Sequence, residues 1–284
     1  MKKTAIIIAF LGLIAFTACK KEKEPDMTVK DKTLYENAVM NEITAEDAWC
    51  VQVIQDSISY VELKYSAFLE EYLRVTLEGA SLHISLSKSV NMPNNTVMNA
   101  IVHTPEVHNI HFSEAVTASV DGRFPETALT LVLEDASTCR GGHFFGSADI
   151  KLSDASKCVE FSFEGTTCKV EVSEASDLKC SLNVSGDLNM TIKDGSHVTD
   201  YWGEINHANV TVTDASHLNM ATSWISYMHI DVKSASEATV NVTEILEGSV
   251  QEASKLYYSG DPVLIVDCDD TSIIQQVEYP NPNQ

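Results

Sequence analysis

Ala208-Asn209-Val210-Thr211-Val212-Thr213-Asp214-Ala215-Ser216-His217-Leu218 is the stretch whose reading decides the fold. Apolar residues at 208, 210 and 212 alternate with polar ones, the two-residue period of a strand with one buried face. Asp214-Ala215-Ser216 interrupts the alternation, and Leu218 opens a second run. The same signature returns as Asp135-Ala136-Ser137, Asp154-Ala155-Ser156, Glu174-Ala175-Ser176, Asp194-Gly195-Ser196, Ser234-Ala235-Ser236 and Glu252-Ala253-Ser254. Successive serines, Ser216 included, stand 19, 20, 20, 20, 20 and 18 residues apart. A worn copy, Glu114-Ala115-Val116, ends 21 residues before Ser137.

The columns across these copies are those of stacked rungs. Four residues before each serine stand Leu133, Leu152, Val172, Ile192, Val212, Val232 and Val250. Two residues after it stand Cys139, Cys158, Leu178, Val198, Leu218, Ala238 and Leu256. Each copy is therefore a strand, a corner and a second strand, and a unit that small buries its apolar face only by stacking on its neighbours. No segment shows helical periodicity, and Val, Ile and Thr dominate. The expected fold is all-β: a right-handed parallel β-helix of about 20-residue rungs over 101–278, the hand being that of parallel crossovers. Residues 34–100 leave the period. Val61-Leu63-Tyr65 and Leu73-Val75-Leu77, with the Glu78-Gly79 turn, predict a small antiparallel cap on the first rung. The Pro- and Asn-rich stretch 279–284 reads as a frayed tail.

The amino-terminal residues carry an address. Lys2 and Lys3, an apolar run from Ala5 to Phe16, and Thr17-Ala18-Cys19 make a secretory signal over 1–18 that is too short to span a bilayer. The segment resembles a lipobox, which implies acylation of Cys19 and a membrane partner held through it. Residues 19–33 then read as a charged tether. Without 1–18 the chain loses two of its 19 basic residues and none of its 41 acidic ones, a net of −24. Such a surface repels phosphate backbones and excludes nucleic acid as a partner. The sequence leaves open whether the protein faces the periplasm or the outside of the outer membrane.

Val51-Gln52-Val53-Ile54-Gln55, Leu82-His83-Ile84, Thr104-Pro105-Glu106-Val107, the Ala-Ser corners and Tyr258-Ser259-Gly260-Asp261-Pro262 together resemble the auto-transporter adhesin, head GIN domain family. The resemblance runs from about Tyr35 to Val277 and implies a parallel β-helix of exported proteins. The family corner reads Gly-Ala-Ser, whereas an acid fills its first position here. Glu at that position argues that the corner does not demand a positive φ.

Four candidate sites remain. Asp135, Asp154, Glu174, Asp194 and Asp214 line up at the rung spacing, so they either share Ca²⁺ ions or bond corner backbone and water. His103, His108 and His111, near Glu106 and Glu114, are either metal ligands or surface polar residues. Cys139, Cys158 and Cys168 sit in inward columns and read as small core residues, with a Cys139–Cys158 bridge as the other choice. His143, Phe144, Phe145, Tyr201, Trp202, Trp224 and Tyr227 fall between the second strand and the next rung. Pointing outward they would stack on sugar or protein; pointing inward they would fill the solenoid. Only three arginines exist, Arg74, Arg123 and Arg140, and no cofactor motif occurs. The sequence therefore points to a non-catalytic, adhesin-like envelope protein binding a glycan or a protein. A carbohydrate-active enzyme and a purely structural protein are the alternatives. An outward aromatic stripe favours binding, and a cleft joining carboxylates to Arg123 or Arg140 favours catalysis.

Overall fold

The computed structural model describes residues 24–278. The signal segment, Cys19 and the tail 279–284 lie outside the described residues. The chain forms a β-solenoid of about eight turns. Its strands in order are β1 (Val29–Leu34), β2 (Glu42–Ala45), β3 (Cys50–Gln55), β4 (Tyr60–Ser66), β5 (Leu73–Glu78), β6 (Ser81–Leu86), β7 (Met98–Thr104) and β8 (Asn109–Phe112). There follow β9 (Thr117–Leu133), β10 (Thr138–Leu152), β11 (Lys157–Val172), β12 (Asp177–Ile192), β13 (His197–Asp200), β14 (Glu204–Val212) and β15 (His217–Val232). The last are β16 (Glu237–Val250), β17 (Lys255–Ser259), β18 (Val263–Cys268) and β19 (Ile273–Gln276). From β9 onward each rung pairs in parallel with the next.

The inward columns are where the alternation puts them. Leu133, Leu152, Val172, Ile192, Val212, Val232 and Val250 are buried in one continuous core, as are Cys139, Cys158, Leu178, Val198 and Leu218. The register stacks like on like, Cys139 on Cys158 and Cys158 on Leu178.

The corners overturn one expectation. Asp135 and Ala136 have φ of 53° and 60°, Glu174 and Ala175 57° and 59°, and every later copy repeats the pair. Two successive left-handed residues make the chain reverse as a two-residue turn, at a cost of roughly 1–2 kcal/mol for each L-residue. The rungs above and below compensate. The N–H of Ala136 donates to the carbonyl of Asp154 (2.8 Å), Ala155 to Glu174 (2.8 Å), and so on up the stack. The serine side chains run a second ladder inside: Ser176 N–H donates to Ser196 Oγ, Ser196 to Ser216 and Ser216 to Ser236, each at 3.2 Å. The corner is not crowded at that position: a Cβ added at Gly195, the one glycine among these copies, would meet nothing within 4 Å.

The amino-terminal region is richer than an antiparallel cap. The antiparallel pairs β1–β4, β4–β7 and β5–β6 are present. Between them lies a true rung out of chain order: β2 is parallel to both β6 and β8, and β3 to both β7 and β9. Its corner is Asp47-Ala48, with the same positive φ pair, and Ala48 N–H donates to Glu114 O (2.8 Å). The segment read as a tether is ordered from β1 onward, because Val29–Leu34 pairs along its whole length with β4.

Candidate binding groove

Each rung has a sharp corner on one side and a looser bend on the other. Several of the bends are closed by glycine. A Cβ at Gly165 would stand 2.1 Å from the carbonyl oxygen of Gly146 in the rung before, and one at Gly203 would stand 1.8 Å from that of Leu182. No side chain fits there, so successive rungs close up and leave a hollow between the walls that flank them.

The hollow is a groove of about 760 Å³ running from β10 to β16, within the size range of small-molecule sites. Phe145 stands near one end and Trp224, 56% exposed, near the other. Between them lie Glu164, Asn183, Asn206, Glu204 and the hydroxyls of Thr166, Ser185, Ser226 and Thr243. No lysine or arginine lines it. Glu164 and Asn183 also border a smaller hollow under Trp202, with His143 and Phe163.

The aromatic segment divides between the two orientations open to it. Phe144 points inward and stacks between Phe124 (5.1 Å) and Phe161 (5.6 Å). Tyr201, Trp202 and Trp224 are each more than half exposed. His143, Phe145 and Tyr227 are half-buried: the His143 ring lies 4.5 Å from Phe145, and Tyr227 stacks on His207 at 5.1 Å. The Arg123 guanidinium sits 5.1 Å over the Phe145 ring. Burial, then that cation, pushes the His143 imidazole pKa down, so the ring is neutral near pH 7.

Asp200 holds the loop that presents Tyr201 and Trp202. Its carboxylate is almost wholly buried in the inward column of Phe161 and Cys180. It accepts hydrogen bonds from Leu182 N–H (3.1 Å) and Ser223 Oγ (2.6 Å). Burial raises it to about 6, against the lowering effect of those bonds. Thr222 Oγ1 closes the loop by donating to Tyr201 O (2.8 Å). Sequence reading overlooked Asp200, although an acid in an otherwise apolar inward column is a signal in itself.

The other candidates stay apart. Asp135, Asp154, Glu174, Asp194 and Asp214 do form a ladder on the outer edge of the corners, but most turn to local partners. Ser153 Oγ donates to Asp154 (3.0 Å), Thr213 Oγ1 to Asp214 (2.6 Å), and Lys193 lies 3.7 Å from Asp194. Glu174 is raised above the usual carboxylate range by its hydrogen bond and charge contact with Asp154. His103 pairs with Asp56 (3.1 Å), His108 with Glu106 (3.9 Å) and His111 with Glu134 (3.2 Å). Glu114 belongs to the corner ladder instead and is raised by burial and by Asp47. Among the described residues no group of three or more His, Cys, Asp or Glu is gathered so that it could hold a metal ion. Cys139, Cys158, Cys168 and Cys180 are buried free thiols, and burial pushes Cys168 up to about 12. Arg140 forms a two-point pair with Glu160 (2.7 and 2.6 Å), away from the groove.

The architecture is thus a β-solenoid with an open groove crossing its bends, bordered by Phe145 and Trp224. The chain is a member of the family described as "Putative auto-transporter adhesin, head GIN domain", whose profile matches residues 40–262. The fold is shared with a putative adhesin of Parabacteroides merdae at 10% identity and a TM-score of 0.67, covering 89% of this chain and 98% of that one. A putative adhesin and a "putative lipid binding protein" of Parabacteroides distasonis, each 14% identical with the same coverage, superpose with TM-scores of 0.61 and 0.58. No curated protein matches the chain.

Proposed function

We propose that this protein is a lipid-anchored, non-catalytic binder of the cell envelope that lays an extended neutral glycan along the bend groove. The observation that carries this reading is the groove itself: it crosses successive rungs between Phe145 and Trp224 with amides and hydroxyls between them. Rungs repeat every ~4.8 Å, close to the advance of one pyranose along a sugar chain, so successive sugars would meet successive rungs. Aromatic faces stack on sugar rings, and polar groups between them fix orientation. The absence of lysine and arginine from the lining and the presence of Glu164 and Glu204 disfavour uronic acids and phosphates. Membership of an adhesin-like family supports an envelope or surface location, and the lipobox-like residues before Cys19 support an acyl anchor. Arg140, engaged by Glu160 outside the groove, supplies no partner for a catalytic carboxylate there.

Titration calorimetry with neutral oligosaccharides of increasing length tests the reading. Affinity should rise until the chain spans the groove, and Trp224→Ala should weaken binding about tenfold, a loss of roughly 1.4 kcal/mol. Acidic oligosaccharides should bind less well. Indifference of any observed glycan binding to both Trp224→Ala and Trp202→Ala would sink the groove as the site.

A further inference from the structure

The last rung differs from those beneath it. One outward column reads Lys169, Asn189, Asn209, His229 and Glu247 and then ends in Ile265. The column beside it is polar as far as Tyr227 and ends in Ile245 and Val263. Val263 and Ile265 are 61% and 58% exposed. On the inward side Leu264 is 43% exposed, because no rung covers it. Among the described residues β18 pairs only with β16, and β19 only with β17. Each leaves a row of main-chain donors and acceptors without a strand beside it. The first rungs, in contrast, are covered by β1, β4 and β5.

An edge that is apolar on both faces and open along its backbone is built for another strand. We propose that β18 pairs antiparallel with β18 of a second copy, across a twofold axis at Ile265. That register sets Ile265 against Ile265, Leu264 against Val266, and Val263 against Asp267. The three central positions, Leu264 to Val266, then meet apolar partners, and the two Asp267 side chains are kept apart, each opposite Val263. Twofold contacts of this kind are self-complementary and close at two copies. The main opposing force is charge: Asp261, Asp267, Asp269 and Asp270 flank the edge, and residues 256–278 contain no lysine or arginine.

That opposition makes the test specific. Sedimentation of residues 24–284, which contain the whole described fold, should show a monomer–dimer equilibrium that tightens with added salt as the acidic edges are screened. Ile265→Lys and Val263→Lys should each weaken the dimer about tenfold or more without moving the melting temperature of the dilute protein. Val39→Lys, at an equally exposed valine in the loop after β1, should leave it unchanged. A monomer up to millimolar concentration would overturn the proposal, as would a dimer untouched by Ile265→Lys. An association that weakens with salt would also overturn it.

Discussion

The corner side and the bend side of the solenoid are made by the same rungs and obey different rules. At the corners, from Asp135-Ala136 onward, successive rungs hold the same two backbone conformations and, with few breaks, the same N–H and serine ladders. At the bends the register shifts, between Gly146 and Ser147, between Gly165 and Thr167 and between Val184 and Asp187, and side chains vary freely. A ladder satisfied by its neighbours tolerates little change, because any altered corner disturbs the rungs on both sides. A bend needs only a glycine where two backbones touch. The regular side supplies stability, and the irregular side is free to carry a binding surface.

The largest effect expected from this contrast is in the column behind the corner. Ile192→Ala should lower unfolding free energy by about 2–5 kcal/mol, measured by denaturant melts, whereas Trp202→Ala on the bend side should change it by less than about 0.5 kcal/mol. Equal losses would erase the distinction between the two sides.

Asp200 should give the next largest signal. Its folded pKa, about 6, lies above the ordinary 3.8, so its stabilising contribution is complete below about 4 and is lost as pH rises through 6. Ionisation therefore costs up to about 3 kcal/mol near neutrality. Melting temperature should gain from this group between pH 7 and 4, and Asp200→Asn should flatten that window. Asp56 and Asp269, both held below the carboxylate range by hydrogen bonds, act with the opposite sign and only below pH 4. An unchanged slope in Asp200→Asn would show that the buried carboxylate is not the source.

Ser196→Ala removes the acceptor of the buried Ser176 N–H and should cost about 1–3 kcal/mol, with hydrogen exchange at Ser176 accelerated. The smallest effect should have the reverse sign. Glu174→Asn places a residue tolerant of positive φ at the corner and relieves the contact with Asp154. It should stabilise the fold slightly, read as a small rise in melting temperature. A fall instead would mean the glutamate has a partner worth keeping.

The period of the serines and the alternation around Val210 and Val212 made the solenoid legible before any coordinates. The corner conformation was not, because Ala and Glu seldom take positive φ and only the ladder across rungs explains why they do so here. The inner rung was also hidden: Val51 and Val53 announce a strand without naming its neighbours. Asp47-Ala48 nevertheless repeats the corner signature and could have betrayed it. On the bend side, Trp202 and Trp224 were visible as aromatics, but their outward aim depends on bends that vary from rung to rung. The groove floor was the least legible part, because Gly165 and Gly203 matter through contacts about twenty residues away.

The interleaved rung β2–β3 sets how the molecule would respond to being pulled. A load applied through the amino terminus would first peel β1 from β4. It would next reach a segment clamped on one side by β6 and β7 and on the other by β8 and β9. Extracting it means rupturing two sheets of backbone bonds together instead of unwinding one rung from a free end. A solenoid threaded in this way should resist tension at its amino-terminal end more strongly than at its open one, so single-molecule traces should show a higher rupture force from the N-terminal side.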